Sequence, residues 1–320
     1  MEIFGKSLAP HDFYESLPRS EKLQHFISLA RSLDIRSFAV EGQLGVFEGS
    51  REDRVVFGEY ARNQTWSPQL KELVIKHALR SGSGTYVDVG ANIGLPVLPI
   101  AAETNAVCIA FEPEPESYRY LRKDLITNGL DKKVTTHNVA LFSEEATVEF
   151  ELSERNKGDH RIRFQALGAG RVEAFAESSR KVVSVRGCRL DDIVAASALP
   201  RPVVCKIDTQ GAEVHVLPGG GDSVSSNRGS FGCGILAIRF GSRRHGYHRV
   251  PGHHPRLPIR GVAAIDAVER AELPSQLLPI AALEHELRKF SGNSSGTNHC
   301  DVILVPRTTV SRFPFFNAPE

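Results

Sequence analysis

An acid at the end of an apolar stretch, followed by two spaced glycines, is the first feature that could do chemistry. Residues 87–94 (VDVGANIG) predict a strand, a tight turn and the start of a helix. Gly90 and Gly94 would let the backbone turn sharply and approach a ligand, and Asp88 would point into the crevice where open α/β sheets bind ligands. A purely structural turn would use the same glycines, so the motif alone does not identify a ligand.

A second acid, Glu112, ends the next predicted strand in the stretch AFEPEP. Its distance from Asp88 along the chain is close to the roughly 20 residues expected for an acid that binds ribose hydroxyls. A carboxylate can accept two charge-assisted hydrogen bonds from a cis-diol, each worth about 1.5–3 kcal/mol. Together the two acids favour a cofactor that contains a nucleoside.

The turn departs from the fingerprint of dinucleotide-binding proteins. That fingerprint, G-x-G-x-x-G, seats a pyrophosphate on the helix N-terminus. Here Val89 stands where its first glycine would be, and Asp88 would repel phosphate. An acid beside the turn suits a cationic ligand with an amino acid part, such as S-adenosylmethionine. A nicotinamide-dependent oxidoreductase is the alternative from another enzyme class.

Three further residues are candidates for catalysis. Asp208, in the stretch KIDTQG, could orient a substrate hydroxyl or take its proton, or it could be a helix-capping or buried acid. Glu213 could equally be a first-turn acid that faces the helix dipole. His160, in the stretch GDHR, is a candidate base or substrate contact, and its alternative is an exposed loop histidine.

The elements that must position these residues begin at Thr85, where apolar strands start to alternate with helices. This alternation predicts βαβ units and a mostly parallel sheet. Residues 146–187 interrupt it with strand-like segments, which we interpret as an insertion over one sheet edge. The predicted strands are 85–90, 106–113, 134–142, 202–211, 234–240 and 301–306, and the predicted helices are 93–103, 116–127, 190–199, one from 212, and 280–290.

The N-terminal part has a different pattern. Residues 12–35 have approximately helical apolar spacing, and residues 38–48 and 54–60 are rich in Val and Phe, as expected of a strand pair. Ser67 and Pro68 then predict the start of another helix.

Composition excludes several classes of protein. The 320 residues carry 39 Lys plus Arg against 38 Asp plus Glu, so there is no general attraction to nucleic acid or anionic membranes. The five cysteines have no zinc-ligand spacing, so no metal is expected, and Cys108 and Cys205 lie in apolar runs typical of buried thiols. Without a secretory signal or a stretch of about 18 apolar residues, a cytoplasmic protein with reduced thiols is predicted.

Six segments, in order, resemble one family. VDVGANIG, AFEPEPESYRYLRKDLITNG, HNVAL, GDHRI, LDDIV and KIDTQGAEVHVLPGG together resemble the FkbM family of S-adenosylmethionine-dependent methyltransferases, over roughly residues 66–220. The resemblance implies a class I methyltransferase fold, a Rossmann-like α/β fold with a mostly parallel sheet and helices on both faces. It also implies O-methylation of a hydroxyl on a sugar, polyketide or related natural product.

The resemblance also implies roles for residues at the matching positions. The methionine part of the cofactor would be cradled by the first motif, and the ribose would be bound after the second strand. The adenine would lie at the end of the third strand. The implied cofactor-binding residues are Asp88, Gly90, Ala91, Asn92, Gly94, Glu112, Pro113, Asn138 and Ala140, and the candidate catalytic residues are Asp208 and His160.

The pattern divides the chain into an N-terminal helical and β-hairpin extension, residues 1–65, and a methyltransferase domain, residues 66–310. Residues 241–262 are atypical because they combine Arg, His, Gly and Pro with few core-forming residues. This tract predicts either a disordered or divergent surface insertion or a local reading-frame slip. A homologue that keeps the fold but is catalytically impaired is therefore a second alternative. RNA is a weaker alternative as the substrate, since the basic residues of this tract could contact its phosphates.

Overall fold

The computed structural model describes residues 2–3, 6–7, 15–75, 79, 82–154, 156–163, 180–194, 199–200, 203–210, 212–213, 215–216, 236–240, 259–263 and 300–306. The helices in these parts are α1 (Arg19–Ser32), α2 (Val56–Asn63), α3 (Pro68–Leu73), α4 (Val97–Glu103), α5 (Pro115–Thr127) and α6 (Leu190–Ile193), with a short 3₁₀ helix at Lys157–Asp159. The strands are β1 (Glu2–Ile3), β2 (Lys6–Ser7), β3 (Ser37–Gly42), β4 (Gly45–Ser50), β5 (Thr85–Val89), β6 (Val107–Phe111), β7 (Val134–His137), β8 (Ala140–Leu141), β9 (Ala146–Leu152), β10 (Arg161–Ile162), β11 (Lys181–Cys188), β12 (Val203–Ile207), β13 (Leu236–Phe240), β14 (Ile259–Ala263) and β15 (Cys300–Pro306).

A seven-stranded sheet organises the chain, with β5 near its centre. Its strand order is β14, β15, β13, β12, β5, β6, β7. The strands from β13 to β7 are parallel, and β15 is antiparallel to both of its neighbours. After β5 the chain continues outward to β6 and β7, and it later returns to β12 on the other side. The sheet therefore has a topological switch point between β5 and β12, where open α/β sheets bind ligands.

Both faces of this sheet are covered, as expected for parallel strands. Every residue of β5 and of β12 is buried. Residues of α4 and α5 pack on one face with Tyr86, and α6 packs on the other with Val87 and Val89. The predicted mostly parallel α/β architecture is confirmed, and so are the buried thiols of Cys108 and Cys205.

Two predicted elements differ from the structure near the first glycine turn. The helix expected from residue 93 begins only at Val97, because Asn92 and Gly94 have φ of +52° and +93°, which an α-helix does not accommodate. The strand expected over residues 134–142 is split into β7 and β8. Between them Asn138 donates side-chain hydrogen bonds to the carbonyl oxygens of Glu112 and Pro113, at 2.8 and 3.1 Å.

The predicted strand at residues 54–60 is wrong, since this segment begins helix α2. The Asp53 carboxylate accepts hydrogen bonds from the backbone N–H groups of Val55, Val56 and Phe57, at 3.0–3.2 Å, and so satisfies the free donors of the first turn. The β-rich composition was misleading because Phe57 and Tyr60 lie one helical turn apart, and both are buried. The strand pair is instead β3 and β4, which form an antiparallel hairpin.

A side chain of α5 and the side chain of Asn128, which directly follows α5, bind this hairpin to the domain. Asp124 Oδ1 accepts a hydrogen bond from the backbone N–H of Glu48 at 2.9 Å. Asn128 exchanges two hydrogen bonds with the backbone of Val46, at 2.9 and 2.7 Å. One hydrophobic cluster also contains Phe47 and Phe57 together with residues of the central sheet. The proposed division at residue 65 thus separates sequence patterns, while the packing is continuous across it.

Burial of Asp124 predicts a pH-dependent stability. Burial raises the pKa of its carboxyl to about 8, whereas the unfolded chain releases this proton near pH 4. Between about pH 4 and pH 8 the folded state therefore holds this proton while the unfolded state has lost it. The free energy of unfolding that the protonated Asp124 contributes is complete below about pH 4 and is lost as the pH rises to about 8. Asparagine does not titrate, so we expect the free energy of unfolding of Asp124→Asn to rise relative to that of the wild type as the pH increases. The change should be up to about 1.4 kcal/mol per pH unit between pH 4 and pH 8.

Urea unfolding between pH 4 and 9 measures this difference, with Asp131→Asn as a matched control at an exposed position. A difference between Asp124→Asn and wild type that does not change with pH would contradict the assignment.

The predicted insertion is confirmed as a second sheet with the strand order β10, β9, β11, β8. Strands β9 and β11 are antiparallel over seven residue pairs, and β8 joins the sheet in parallel with the end of β11. The connection at residues 164–179 lies outside the described residues, as do residues 241–258 of the atypical tract and the predicted helix at 280–290.

Candidate functional site

A cavity that is open to solvent lies at the carboxyl ends of β5, β6 and β12, and the space between its walls, including part of that solvent, is about 770 Å³. Its wall combines residues from the central sheet, the insertion and the N-terminal extension. The lining residues are Val56, Trp66, Val89–Asn92, Leu95, Pro96, Phe111–Pro113, Val139–Leu141, Phe150, Lys157, Gly158, His160, Ile162, Lys206, Asp208–Gln210 and Ala212.

Gly90 makes the sharp turn at the end of β5. Its φ is +76°, and a Cβ at this position would lie 2.0 Å from the carbonyl oxygen of Asp208. The backbone N–H groups of Gly90 and Ala91 both donate to the carbonyl oxygen of Phe111, at 3.0 Å each. Only glycine therefore fits where the turn passes between the ends of the neighbouring strands.

The next residues of the turn have different roles. Asn92 lines the cavity in a left-handed conformation, and its Nδ2 donates to the carbonyl oxygen of Lys157 in the insertion at 3.0 Å. Gly94 does not line the cavity, since a Cβ there would lie 2.4 Å from Leu98 and 2.7 Å from Leu121. The structure places Asn92 at the site and Gly94 behind it, where it permits close helix packing.

Glu112 lies in the cavity wall at the end of β6. It is 5% exposed, and its two carboxylate oxygens accept backbone N–H bonds from Asn92 and Glu114, both at 2.8 Å. Burial raises the pKa of this carboxyl to about 7 despite these bonds. Each oxygen has a second lone pair, so the carboxylate is held in place and can still accept hydrogen bonds from a ligand.

At the end of the site where the adenine is expected, two of three candidate residues, Pro113 and Ala140, reach the cavity, and Asn138 does not line it. The predicted candidates Pro113 and Ala140 line the cavity together with Phe111 and Val139. Asn138 contributes indirectly, because its bonds to the carbonyl oxygens of Glu112 and Pro113 fix the ends of β6 and β7 relative to each other.

Asp88 does not point into the cavity as the sequence suggested. Its side chain is fully buried, and its Oδ1 lies 3.0 Å from the Nζ of Lys206. Lys206 also donates to the carbonyl oxygen of Gly90 at 2.8 Å, and it lines the cavity. Burial raises the pKa of the Asp88 carboxyl, and the Lys206 charge opposes that rise. Asp88 therefore acts on the site through Lys206 and the glycine turn.

Asp208 reaches the cavity from the end of β12. Its Oδ1 accepts a hydrogen bond from Gln210 Nε2 at 2.8 Å, and its Oδ2 lies 4.0 Å from Lys206 Nζ. Glu213 is buried behind it, where its carboxylate accepts from the backbone N–H of Thr209 at 3.1 Å. This arrangement supports the interpretation of Glu213 as a structural first-turn acid.

His160 is buried in the insertion and lines the cavity, so it is not an exposed loop histidine. Its Nδ1 accepts the backbone N–H of Ser153 at 2.9 Å. Burial lowers the pKa of the imidazole to about 3. The ring is therefore neutral at physiological pH.

Among the residues of the wall that sequence reasoning missed are Lys206, Trp66 and Lys157. Lys206 could have been found, because a lysine inside the apolar run VVCKID needs a buried partner. Trp66 and Lys157 gave no local signal. They reach the cavity through contacts between distant segments, such as the hydrogen bond from the backbone N–H of Lys157 to Asp53 Oδ1 at 3.3 Å.

The described parts of the chain contain neither a membrane-spanning helix nor a metal-binding cluster. No helix there combines the length and apolar character that crossing a membrane requires. No cluster of three or more His, Cys, Asp or Glu side chains there could hold a metal ion.

Comparisons with known proteins agree with the sequence motifs. Residues 88–240 match the model of the methyltransferase FkbM domain. Hexuronic acid methyltransferase AglP of Haloferax volcanii is 28% identical over 136 residues, which are 41% of this chain and 48% of that protein. The match thus spans about half the length of this relative.

Solved structures show weaker similarity. An FkbM methyltransferase from Methylobacillus flagellatus is 15% identical with a TM-score of 0.35, covering 70% of this chain and 44% of that one. Pyrococcus horikoshii TYW2, in complex with MeSAdo, is 10% identical with a TM-score of 0.36, covering 93% and 86%. The α/β fold of this chain is established by the strand order of its central sheet. The match of residues 88–240 to the methyltransferase FkbM domain confirms the family resemblance seen in the sequence.

Proposed function

We propose that the protein transfers a methyl group from S-adenosylmethionine to a hydroxyl of a sugar, glycan or natural-product acceptor. One observation carries this proposal. The cavity at the switch point brings together the Glu112 carboxylate, the Gly90 turn and the Asp208 carboxylate, which come from the ends of three different strands. The family match supports methyl transfer over the nicotinamide-dependent alternative.

The residues present fit this cofactor. Glu112 has fixed oxygens with free lone pairs, which suit the two ribose hydroxyls. The Gly90 turn offers a close backbone approach for the methionine part, and the apolar wall at Pro113 and Ala140 suits a flat base. The wall also contains the Asp208 carboxylate, whose charge suits a cationic ligand. Val89, at the first glycine position of a dinucleotide fingerprint, is buried and leaves no pyrophosphate cradle.

Methyl transfer from this cofactor requires few catalytic side chains. When bound, the cofactor would supply a methyl group on a positively charged sulfur, and that sulfur would leave as a neutral thioether as the acceptor oxygen bonds to the methyl carbon in line. Most of the rate can come from aligning the acceptor, an effect worth about 7–11 kcal/mol in well-oriented systems. We assign Asp208 the task of orienting the acceptor hydroxyl and accepting its proton, since its Oδ1 is held by Gln210 at the cavity.

Titration with S-adenosylhomocysteine tests the cofactor assignment, with NAD as the control ligand. Trp66, the single tryptophan of the chain, lines the cavity, so its fluorescence reports binding. We expect Glu112→Ala to weaken binding by about 30-fold, the equivalent of about 2 kcal/mol. Wild-type affinity should fall as the pH drops below about 7, where the Glu112 carboxyl takes up a proton.

Glu144→Ala, at an exposed position, is the matched control and should bind like the wild type. Absence of binding to a folded wild-type protein, or equal binding by Glu112→Ala, would overturn the cofactor assignment.

The acceptor class requires a separate assay. Transfer of a tritiated methyl group is measured with a panel of neutral hexoses, hexuronic acids and their glycosides, because AglP is described as a hexuronic acid methyltransferase. Labelled product that resists mild alkaline hydrolysis indicates an ether and supports O-methylation of a hydroxyl. An alkali-labile ester, or cofactor binding without any product, would overturn that part of the proposal, and the latter would indicate a catalytically impaired homologue.

We place this reaction in the cytoplasm. The described thiols Cys108, Cys188 and Cys205 are buried and form no disulfide, as in a reducing compartment.

A further inference from the structure

The imidazole of His160 has its two nitrogens in different environments. Nδ1 accepts a hydrogen bond from the backbone N–H of Ser153 at 2.9 Å, so this nitrogen must carry the lone pair. In a neutral ring the proton is then on Nε2. The side chain is a donor at Nε2 and has no free lone pair with which to accept a proton from a substrate.

The donor at Nε2 is buried and has no hydrogen-bond partner among the described residues. His160 is 7% exposed, and the ring lies edge-on to Phe150 with the centroids 6.3 Å apart. A buried donor without a partner costs about 1–3 kcal/mol. Because His160 lines the cavity, a ligand bound there can supply the missing acceptor atom.

The charges that face the ring do not favour an imidazolium ion. They are Lys157 and Asp159 from the 3₁₀ turn, Arg180 from the segment before β11, and Glu116 from α5. Lys157 Nζ lies 3.0 Å from Glu116 Oε2, and Arg180 forms an ion pair with Asp159. Since these charges are paired with each other, burial decides the protonation state and lowers the pKa of His160 to about 3.

We propose that His160 binds the acceptor substrate as a neutral donor, giving its Nε2–H to an oxygen of a sugar-like acceptor, and that it is not the base of the reaction. This inference rests on the proposed function. The acceptor is favoured over the cofactor because most cofactor candidates, including Gly90 and Glu112, follow strands of the central sheet, whereas His160 lies between the 3₁₀ helix and β10 of the insertion. Asp208 remains the residue that accepts the proton of the acceptor hydroxyl.

Two variants separate the two nitrogens. Asn places an oxygen near the position of Nδ1, so His160→Asn keeps an acceptor for Ser153 and removes the donor. Gln reaches the position of Nε2 with its amide nitrogen, so His160→Gln keeps the donor and removes the acceptor for Ser153. We expect His160→Asn to raise the KM for the best acceptor of the panel about tenfold, with S-adenosylhomocysteine affinity within about twofold of wild type.

His160→Gln should recover most of the acceptor affinity while melting at a lower temperature than His160→Asn. The pH profile of kcat should be the same in the wild type and in His160→Asn. If His160→Asn instead lost kcat together with an ionisation, His160 would be the base. A loss of S-adenosylhomocysteine affinity alone would assign the donor to the cofactor. Either result overturns the proposal.

Nitrogen-15 NMR of the histidine side chains provides a readout without turnover. The His160 signals, assigned by their loss in His160→Asn, should show the Nε2–H tautomer from pH 5 to pH 8. An imidazolium spectrum at pH 6 would overturn the inference, even if the cofactor binds as proposed. Failure of the wild type to bind S-adenosylhomocysteine would overturn the proposed function and would leave the tautomer result standing.

Discussion

Replacing Lys206 by methionine is expected to lower the free energy of unfolding by about 3–5 kcal/mol, because it leaves the fully buried Asp88 carboxylate without its ion pair. Methionine retains the length and apolar stem of lysine, so loss of packing contributes little. The substitution also removes the hydrogen bond from Lys206 to the carbonyl oxygen of Gly90, which holds the turn at the cavity.

The cause is tested with a second substitution. In Lys206→Met with Asp88→Asn, no charge remains buried at this point, and much of the lost stability should return. The defect of Lys206→Met should also shrink at low pH, since Asp88 then takes up a proton and its burial costs less. Urea unfolding of the single and double variants measures both effects. Equal instability of the single and double variants at every pH would show that the ion pair is not the source.

Replacing Asp208 by asparagine is expected to lower kcat by about 10²- to 10⁴-fold, the usual effect of losing a group that accepts a proton in the transition state. Asparagine occupies the same volume and retains an oxygen for Gln210 Nε2. Binding of S-adenosylhomocysteine should stay within a few-fold of wild type, because the ribose contact at Glu112 lies on another strand. The methyl-transfer assay with the best acceptor of the panel measures kcat.

Gln210→Ala is the companion variant for this prediction. It removes the partner that orients Asp208 but leaves the carboxylate, so its loss of kcat should be smaller than that of Asp208→Asn. If Asp208→Asn retained most of the wild-type kcat, alignment alone would account for the rate. Asp208 would then be a structural acid, as its helix-capping alternative supposed.

The parallel sheet could be predicted from the sequence because its strands are buried on both faces and appear as apolar runs. The predicted strands around Val87, Ile109 and Cys205 are found in the structure for this reason. Local periodicity was a poor guide at residues 54–60, where the helix depends on the Asp53 carboxylate and on the burial of Phe57 and Tyr60. Those contacts depend on the tertiary packing and cannot be read from the segment alone.

The candidate site could also be predicted only in part: the positions of two acids followed from the sequence, and the surroundings of Asp88 and His160 did not. Glu112 and Asp208 follow strands, so their arrival at one sheet edge follows from the topology. The burial of Asp88 against Lys206 did not follow from the motif, because it depends on which strand lies beside β5. The tautomer of His160 could not be predicted either, since it is fixed by the backbone N–H of Ser153, which directly follows β9.

The Asp53 carboxylate joins the first turn of α2 to the backbone N–H of Lys157, which lies 104 residues after Asp53 in the chain. Closing so long a loop costs conformational entropy during folding. The hydrogen bonds to Asp53 offset this cost only when both segments are in place. We therefore expect the wall that carries Lys157 and His160 to be completed only when α2 and the insertion are both in place. Fluctuations that open α2 would in turn disrupt this wall while the sheet remains intact.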